Sequence, residues 1–166
     1  MAFNTLGVSF SFLLKIKNDP RYSEGMDTSA IKKAIVLPDT LERKCAYIDL
    51  YAGENDAKGR LYVSRATAFV SHAWQYTFDL PLDVMQTHSK SDPNAYFWYD
   101  VFINNQHVLA DTDLGAAFQD SITEIGTVLL VMSPWNNPIP LTRAWCLWEI
   151  FCSIKGGGAV TGVPSY

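Results

Sequence analysis

Trp145 and Glu149 stand four residues apart, a spacing that sets an indole and a carboxylate on one face of a helix, with Cys152 close by. Leu147, Phe151 and Ile154, with Ala144 and Ile150 beside them, make a separate apolar stripe, predicted to face the sheet. A tryptophan away from that stripe wants a partner, either another element or a ligand. The plainer reading packs Trp145 under a loop and leaves Glu149 in water. A carboxylate beside aromatic surface can also steady a cationic sugar centre or contact its hydroxyls.

Three further groups could do chemistry. Ser71-His72-Ala73-Trp74 places a hydroxyl, an imidazole and an indole directly after an apolar run. Its plain alternative is a helix cap by Ser71 and a Trp74 at the core edge. Trp98, Asp100 and the run Asn104-Asn105-Gln106-His107 close the next strand: Asp100 could pair with a cation or cap the loop, and the amide-rich run could hydrogen-bond a ligand or serve as turn chemistry. Cys146 with His72 would suit a thiol hydrolase, but Cys146 falls inside a helix rather than at its exposed start, where the dipole would activate it.

The elements that must position these groups follow from periodicity. Residues 6–14 alternate in a strand-like way, residues 18–28 read as loop, and residues 41–51 fit a short amphipathic helix. From residue 66 the pattern is regular. It gives a buried strand over 66–71, a helix over 79–86 and a turn over 89–94. An aromatic strand over 96–103 comes next, then a helix over 114–125 stopped by Gly126. A continuous apolar strand over 127–132, a proline-rich loop over 134–140 and a last helix over 142–154 complete it. Strands alternating with helices predict an α/β fold with a parallel sheet covered on both faces. Three loops, 71–74, 100–105 and 133–142, then converge at the carboxyl ends of the strands, where such folds bind ligands.

Composition narrows the partners. A net charge of −4 with scattered lysines and arginines argues against a nucleic-acid groove. The apolar segment near the start is too short to span a bilayer and lacks a basic leader, so no membrane partner is predicted. Three cysteines without a CxxC spacing or a histidine cluster predict neither a disulfide framework nor a metal site, and fit a cytoplasmic setting.

The regular half of the chain resembles a Toll/interleukin-1 receptor (TIR) domain. AFVSHAW over residues 68–74 is similar to the family's first-strand box. Ser133-Pro134 followed by Arg143-Ala144-Trp145-Cys146-Leu147-Trp148-Glu149-Ile150 resembles the plant-type box, and is the more specific match. Its form also looks like a TIR-like branch of protists and algae. The resemblance covers residues 66–154 and implies a flavodoxin-like, three-layer parallel sheet over residues 66–166, preceded by an N-terminal extension over residues 1–65. The family's domain continues with two further strand–helix units, so the resemblance implies either a fragment or covering structure from the N-terminal segment.

Many TIR domains cleave the nicotinamide–ribose bond of NAD+ by hydrolysis or cyclisation, in signalling or defence. The resemblance therefore implies NAD+ as substrate with no separate cofactor, and Glu149 as catalytic residue. Ser71, His72, Ala73, Trp74, Trp98, Asp100, Ser133 and Trp145 are the candidate substrate-binding residues. It also implies self-association or binding to other TIR domains. Ala73-Trp74 stand where many relatives carry a basic residue, so phosphate contacts at that loop do not carry over. The alternatives are a non-catalytic TIR interaction module, with the aromatics as interface anchors, and a domain that senses a nucleotide without turning it over.

Overall fold

A computed structural model describes residues 4–108, 114–134, 148, 150–151 and 154–164. Its strands are β1 (Leu6–Ser9), β2 (Val63–Arg65), β3 (Ala68–Ser71), β4 (Tyr96–Trp98), β5 (Thr127–Met132) and β6 (Ala159–Pro164). They form one six-stranded sheet in the order β2-β1-β4-β3-β5-β6. β3 pairs in parallel with both β4 and β5, and β5 with β6. β1 runs antiparallel to both of its neighbours, so it alone opposes the rest. The fold is α/β with a mostly parallel sheet.

Adjacent residues of a strand point to opposite faces, and β4 uses this to bind two layers. Phe97 meets His88 of α4 (Asp79–Ser91), with ring centroids 6.0 Å apart. Its neighbour Trp98 meets Phe118 of α6 (Leu114–Ile125) at 5.2 Å. Helices α4 and α6 therefore cover opposite faces. Phe69 of β3 stacks on Trp98 at 4.5 Å beneath Phe118, a dry aromatic cluster in which each ring contributes roughly 2–3 kcal/mol of burial.

The N-terminal residues share this sheet and its core. β1 lies so close to β4 that a Cβ on Gly7 would sit 3.0 Å from the Phe97 backbone, which explains glycine there. Ser9 ends the strand and caps α1 (Phe10–Lys17) by accepting from Phe12 N at 3.2 Å. Phe12 then packs edge-on against Tyr47, Tyr51, Tyr62 and Phe102. Residues on both sides of Arg65 thus belong to one hydrophobic core.

Several expected elements change. The alternating residues 6–14 are strand only to Ser9, because the Ser9 cap starts a helix. The helix expected over 41–51 is a turn followed by a 3-10 helix at Tyr47–Tyr51, and Leu41 is exposed. The helical run lies earlier, from α2 (Thr28–Ile31) through a π-helical turn at Lys32–Val36 into α3 (Leu37–Thr40). Pro38 fits there as an early residue of α3. α4 runs on through the expected turn to Ser91. The strand expected over 96–103 stops at Trp98, and residues Asp100–Ile103 form a short helix, α5. α6 and β5 have the expected bounds, separated by Gly126 at φ 78°.

Trp148, Ile150, Phe151, Ile154 and Lys155 are helical, within the range of the expected last helix. The apolar stripe expected to face the sheet does not do so at two of its positions: Phe151 is 52 % and Ile154 66 % exposed. Trp148 is also exposed and meets Phe151 at 5.6 Å. A helical period read from sequence fixes which residues share a face, not which face meets the core. β6, absent from the sequence reading, follows as a parallel neighbour of β5.

Candidate functional site

Because β3 lies between β4 and β5 and runs parallel to both, the segment after it can reach the segments after each. It does so through three side chains. Trp74 Nε1 donates to Asp100 Oδ2 at 2.5 Å, joining the ends of β3 and β4. Tyr76 joins the ends of β3 and β5: its hydroxyl donates to the Ser133 carbonyl at 2.6 Å and accepts from Ser133 N at 3.2 Å. The Ser133–Pro134 peptide is cis. His72 is the third link, and its ring lies against Tyr99, with centroids 4.4 Å apart.

The N-terminal segment enters at the same place. Met26 O accepts from Phe78 N, Asp27 pairs with Thr77 as an isolated antiparallel bridge, and Thr28 N donates to Trp74 O. Asp27 also caps α2, accepting from Ala30 N at 2.8 Å. This fixes Thr28 in the interior, where its hydroxyl meets His72 Nε2 at 3.1 Å and the Tyr99 hydroxyl at 3.0 Å. Thr28 is fully buried and His72 nearly so. Burial pushes the Tyr99 phenol far above its ordinary value, so it stays protonated and serves as a neutral hydrogen-bond partner of Thr28.

Asp100 is the polar centre of the cluster's open side. Its Oδ1 accepts from Val101 N at 2.8 Å and lies 4.0 Å from His72 Nε2. Each carboxylate oxygen has lone pairs beyond these bonds, so Asp100 can still accept from a ligand hydroxyl. Gln106 folds back under it, with the two Nε2 hydrogens shared among the carbonyls of Asp100, Val101 and Asn104. Those three acceptors fix the amide's orientation and leave Oε1 a buried acceptor without a hydrogen bond. Lys32 stands on the near side, its Nζ 5.5 Å from the centre of the Trp74 ring.

Of the residues singled out from sequence, Ser71, His72, Ala73, Trp74, Asp100 and Ser133 gather at this edge of the sheet. Ser71 and Ala73 are buried within it, while Trp74 and Asp100 are half-buried. Trp98 stands apart: it is buried under α6, and its Nε1 donates to Asn4 O at 2.8 Å. Its ring is spent on packing. Glu149, Trp145, Cys146 and Cys152 lie outside the described residues. Sequence reasoning did not find Thr28, Lys32, Tyr76 or Tyr99. Asp27-Thr28-Ser29 before Ala30-Ile31 does read as a helix start, but nothing local says that this start meets residues 72 and 99.

Among the described residues no group of three or more His, Cys, Asp or Glu could hold a metal ion, and no helix is long and apolar enough to cross a membrane. Comparison of the chain with protein-family models, curated proteins and solved structures finds no match.

Proposed function

We propose that the chain is a TIR-type domain of flavodoxin-like, three-layer architecture, and that it cleaves the nicotinamide–ribose bond of NAD+. The observation that carries this reading is the Trp74–Asp100 hydrogen bond across the carboxyl ends of two adjacent parallel strands. It sets an indole and a carboxylate together beyond the carboxyl ends of the strands, the side on which open α/β sheets bind nucleotides. Asp100 is suited to a ribose hydroxyl and Trp74 to a flat ring or its cationic neighbour. The bond from ribose C1′ to the nicotinamide nitrogen breaks with its electron pair going to the nitrogen, which leaves as neutral nicotinamide. Water adds to C1′ and loses a proton, or an adenine nitrogen closes a ring. Nicotinamide is already a cationic leaving group, so the reaction needs a carboxylate to steady the oxocarbenium centre rather than a strong acid. In this reading Glu149 is that carboxylate.

The test is chromatography of NAD+ incubated with the protein. The wild type is expected to release nicotinamide together with ADP-ribose or a cyclic product. Glu149→Gln should lose at least about a hundredfold of that rate, the scale of removing one transition-state contact, while keeping its Tm. Full turnover by the folded variant would remove Glu149 from the mechanism.

A second reading has its own support. Trp148, Phe151 and Ile154 form an exposed apolar face, which suits a module that binds another TIR domain or its own copy. Concentration-dependent self-association with no nicotinamide release at any concentration would favour it. Tight binding of NAD+ without turnover would instead mark a sensor.

A further inference from the structure

We propose that Lys32, from the segment before the parallel strands, is the cation that binds the diphosphate of a nucleotide at this edge of the sheet. This rests on the functional reading above and adds to it the residue that recognises phosphate. The loop after β3 carries His72, Ala73 and Trp74 but no lysine or arginine, so a permanent positive charge for a diphosphate there comes from another segment. Lys32 provides one. The Asp27 cap and the Thr28–Trp74 backbone bond fix the start of α2 against that loop. One helical turn later, Lys32 places its Nζ over the Trp74 ring.

Lys32 differs from the other described lysines in its place, over Trp74 at the ends of the parallel strands. Among the described residues it has no carboxylate within ion-pairing distance, whereas Lys17 has Asp79 and Arg21 has both Asp19 and Asp39. Its ammonium is also steadied by an indole face, an attraction that leaves all three N–H donors free for phosphate oxygens. The same indole donates through its edge to Asp100. A single ring thus carries a cation over its face and a carboxylate at its rim. A nucleoside diphosphate presents the complementary pattern, with anionic phosphates beside ribose hydroxyls. Asp100 would repel a bare phosphate but can accept from the ribose, so the pair selects phosphate joined to sugar.

The experiment is calorimetric titration of the full chain with ADP-ribose and with nicotinamide riboside, which lacks the diphosphate. The proteins are wild type, Lys32→Met and Lys32→Arg, with circular dichroism confirming the fold of each. Methionine keeps a stem over the indole and removes the charge. Losing a charge-assisted hydrogen bond predicts roughly tenfold or more weaker ADP-ribose binding for Lys32→Met, with arginine retaining most of it. Added salt should weaken wild-type binding and affect Lys32→Met less. Nicotinamide riboside should bind both alike. Equal ADP-ribose affinity in wild type and a folded Lys32→Met would overturn the proposal, as would an equal loss for nicotinamide riboside. If ADP-ribose binds through Lys32 but NAD+ is never cleaved, the diphosphate site stands and the glycohydrolase reading falls. If NAD+ is cleaved with KM and kcat unchanged in Lys32→Met, the reverse holds. Absence of binding and of cleavage in the wild type removes both.

Discussion

Thr28 is the residue on which the buried side of the cluster turns. Its hydroxyl is the bond that satisfies the Tyr99 phenol inside the core, and it also meets His72. Thr28→Val keeps the shape and deletes the bond, leaving a buried phenol without that partner. The expected cost is about 1–3 kcal/mol. Urea unfolding should show a lower midpoint at unchanged slope, with Thr28→Ser recovering most of the loss. A Thr28→Val protein as stable as wild type would mean that Tyr99 finds another partner. The same residues show why a site is harder to read from sequence than a fold. Trp74 stands out because it follows an apolar run, and Asp100 because it is a carboxylate within an aromatic one, both of which local pattern reveals. Thr28 and Lys32 lie 40 or more residues earlier, and only the path of the chain brings them to Trp74.

At the scale of elements, Arg21 clamps the turn after α1 to α3. It binds Asp19 through Nε and Nη2, and meets Asp39 through Nη1 and Nη2. The hydrogen bonds from Arg21 hold the Asp19 carboxyl down at about 2, against an ordinary value of 3.8, although partial burial opposes them. A carboxyl lowered in the folded state contributes stability above its unfolded pKa and loses it as pH falls through the folded one. Arg21→Gln is therefore expected to lower Tm by roughly 2–4 °C at pH 6, a modest shift because the pair is partly exposed. The gap to wild type should close as pH drops from about 4 towards 2. A gap that stays constant down to pH 2 would assign the effect to packing of the arginine stem. Legibility differed among the elements for physical reasons. α6 and β5 were readable because a helical period, Gly126 and an unbroken apolar run agree. After Trp98, Tyr99-Asp100-Val101-Phe102-Ile103 suits a strand by composition, but Asp100 binds the Val101 amide and turns the chain into α5. The run from α2 to α3 carries Pro38, and a proline inside a pattern usually signals a break.

At the scale of the molecule, the sheet is mostly parallel and is extended on its β4 side by strands from the N-terminal segment, of which β1 runs antiparallel. β1 and β2 cover that side, and the same segment continues over the top of the sheet to deliver Thr28 and Lys32. One stretch of chain thus serves both core and candidate site. Trp98 and Trp74 report on these two roles separately, because one indole N–H is tied to Asn4 under α6 and the other to Asp100 at the strand ends. A nuclear magnetic resonance titration of the indole N–H signals with ADP-ribose, assigned through Trp74→Phe and Trp98→Phe, reads them directly. The Trp74 signal is expected to shift and saturate while the Trp98 signal stays in place. Saturable binding that leaves the Trp74 signal unmoved would place the nucleotide elsewhere on the molecule and contradict the assignment of this edge.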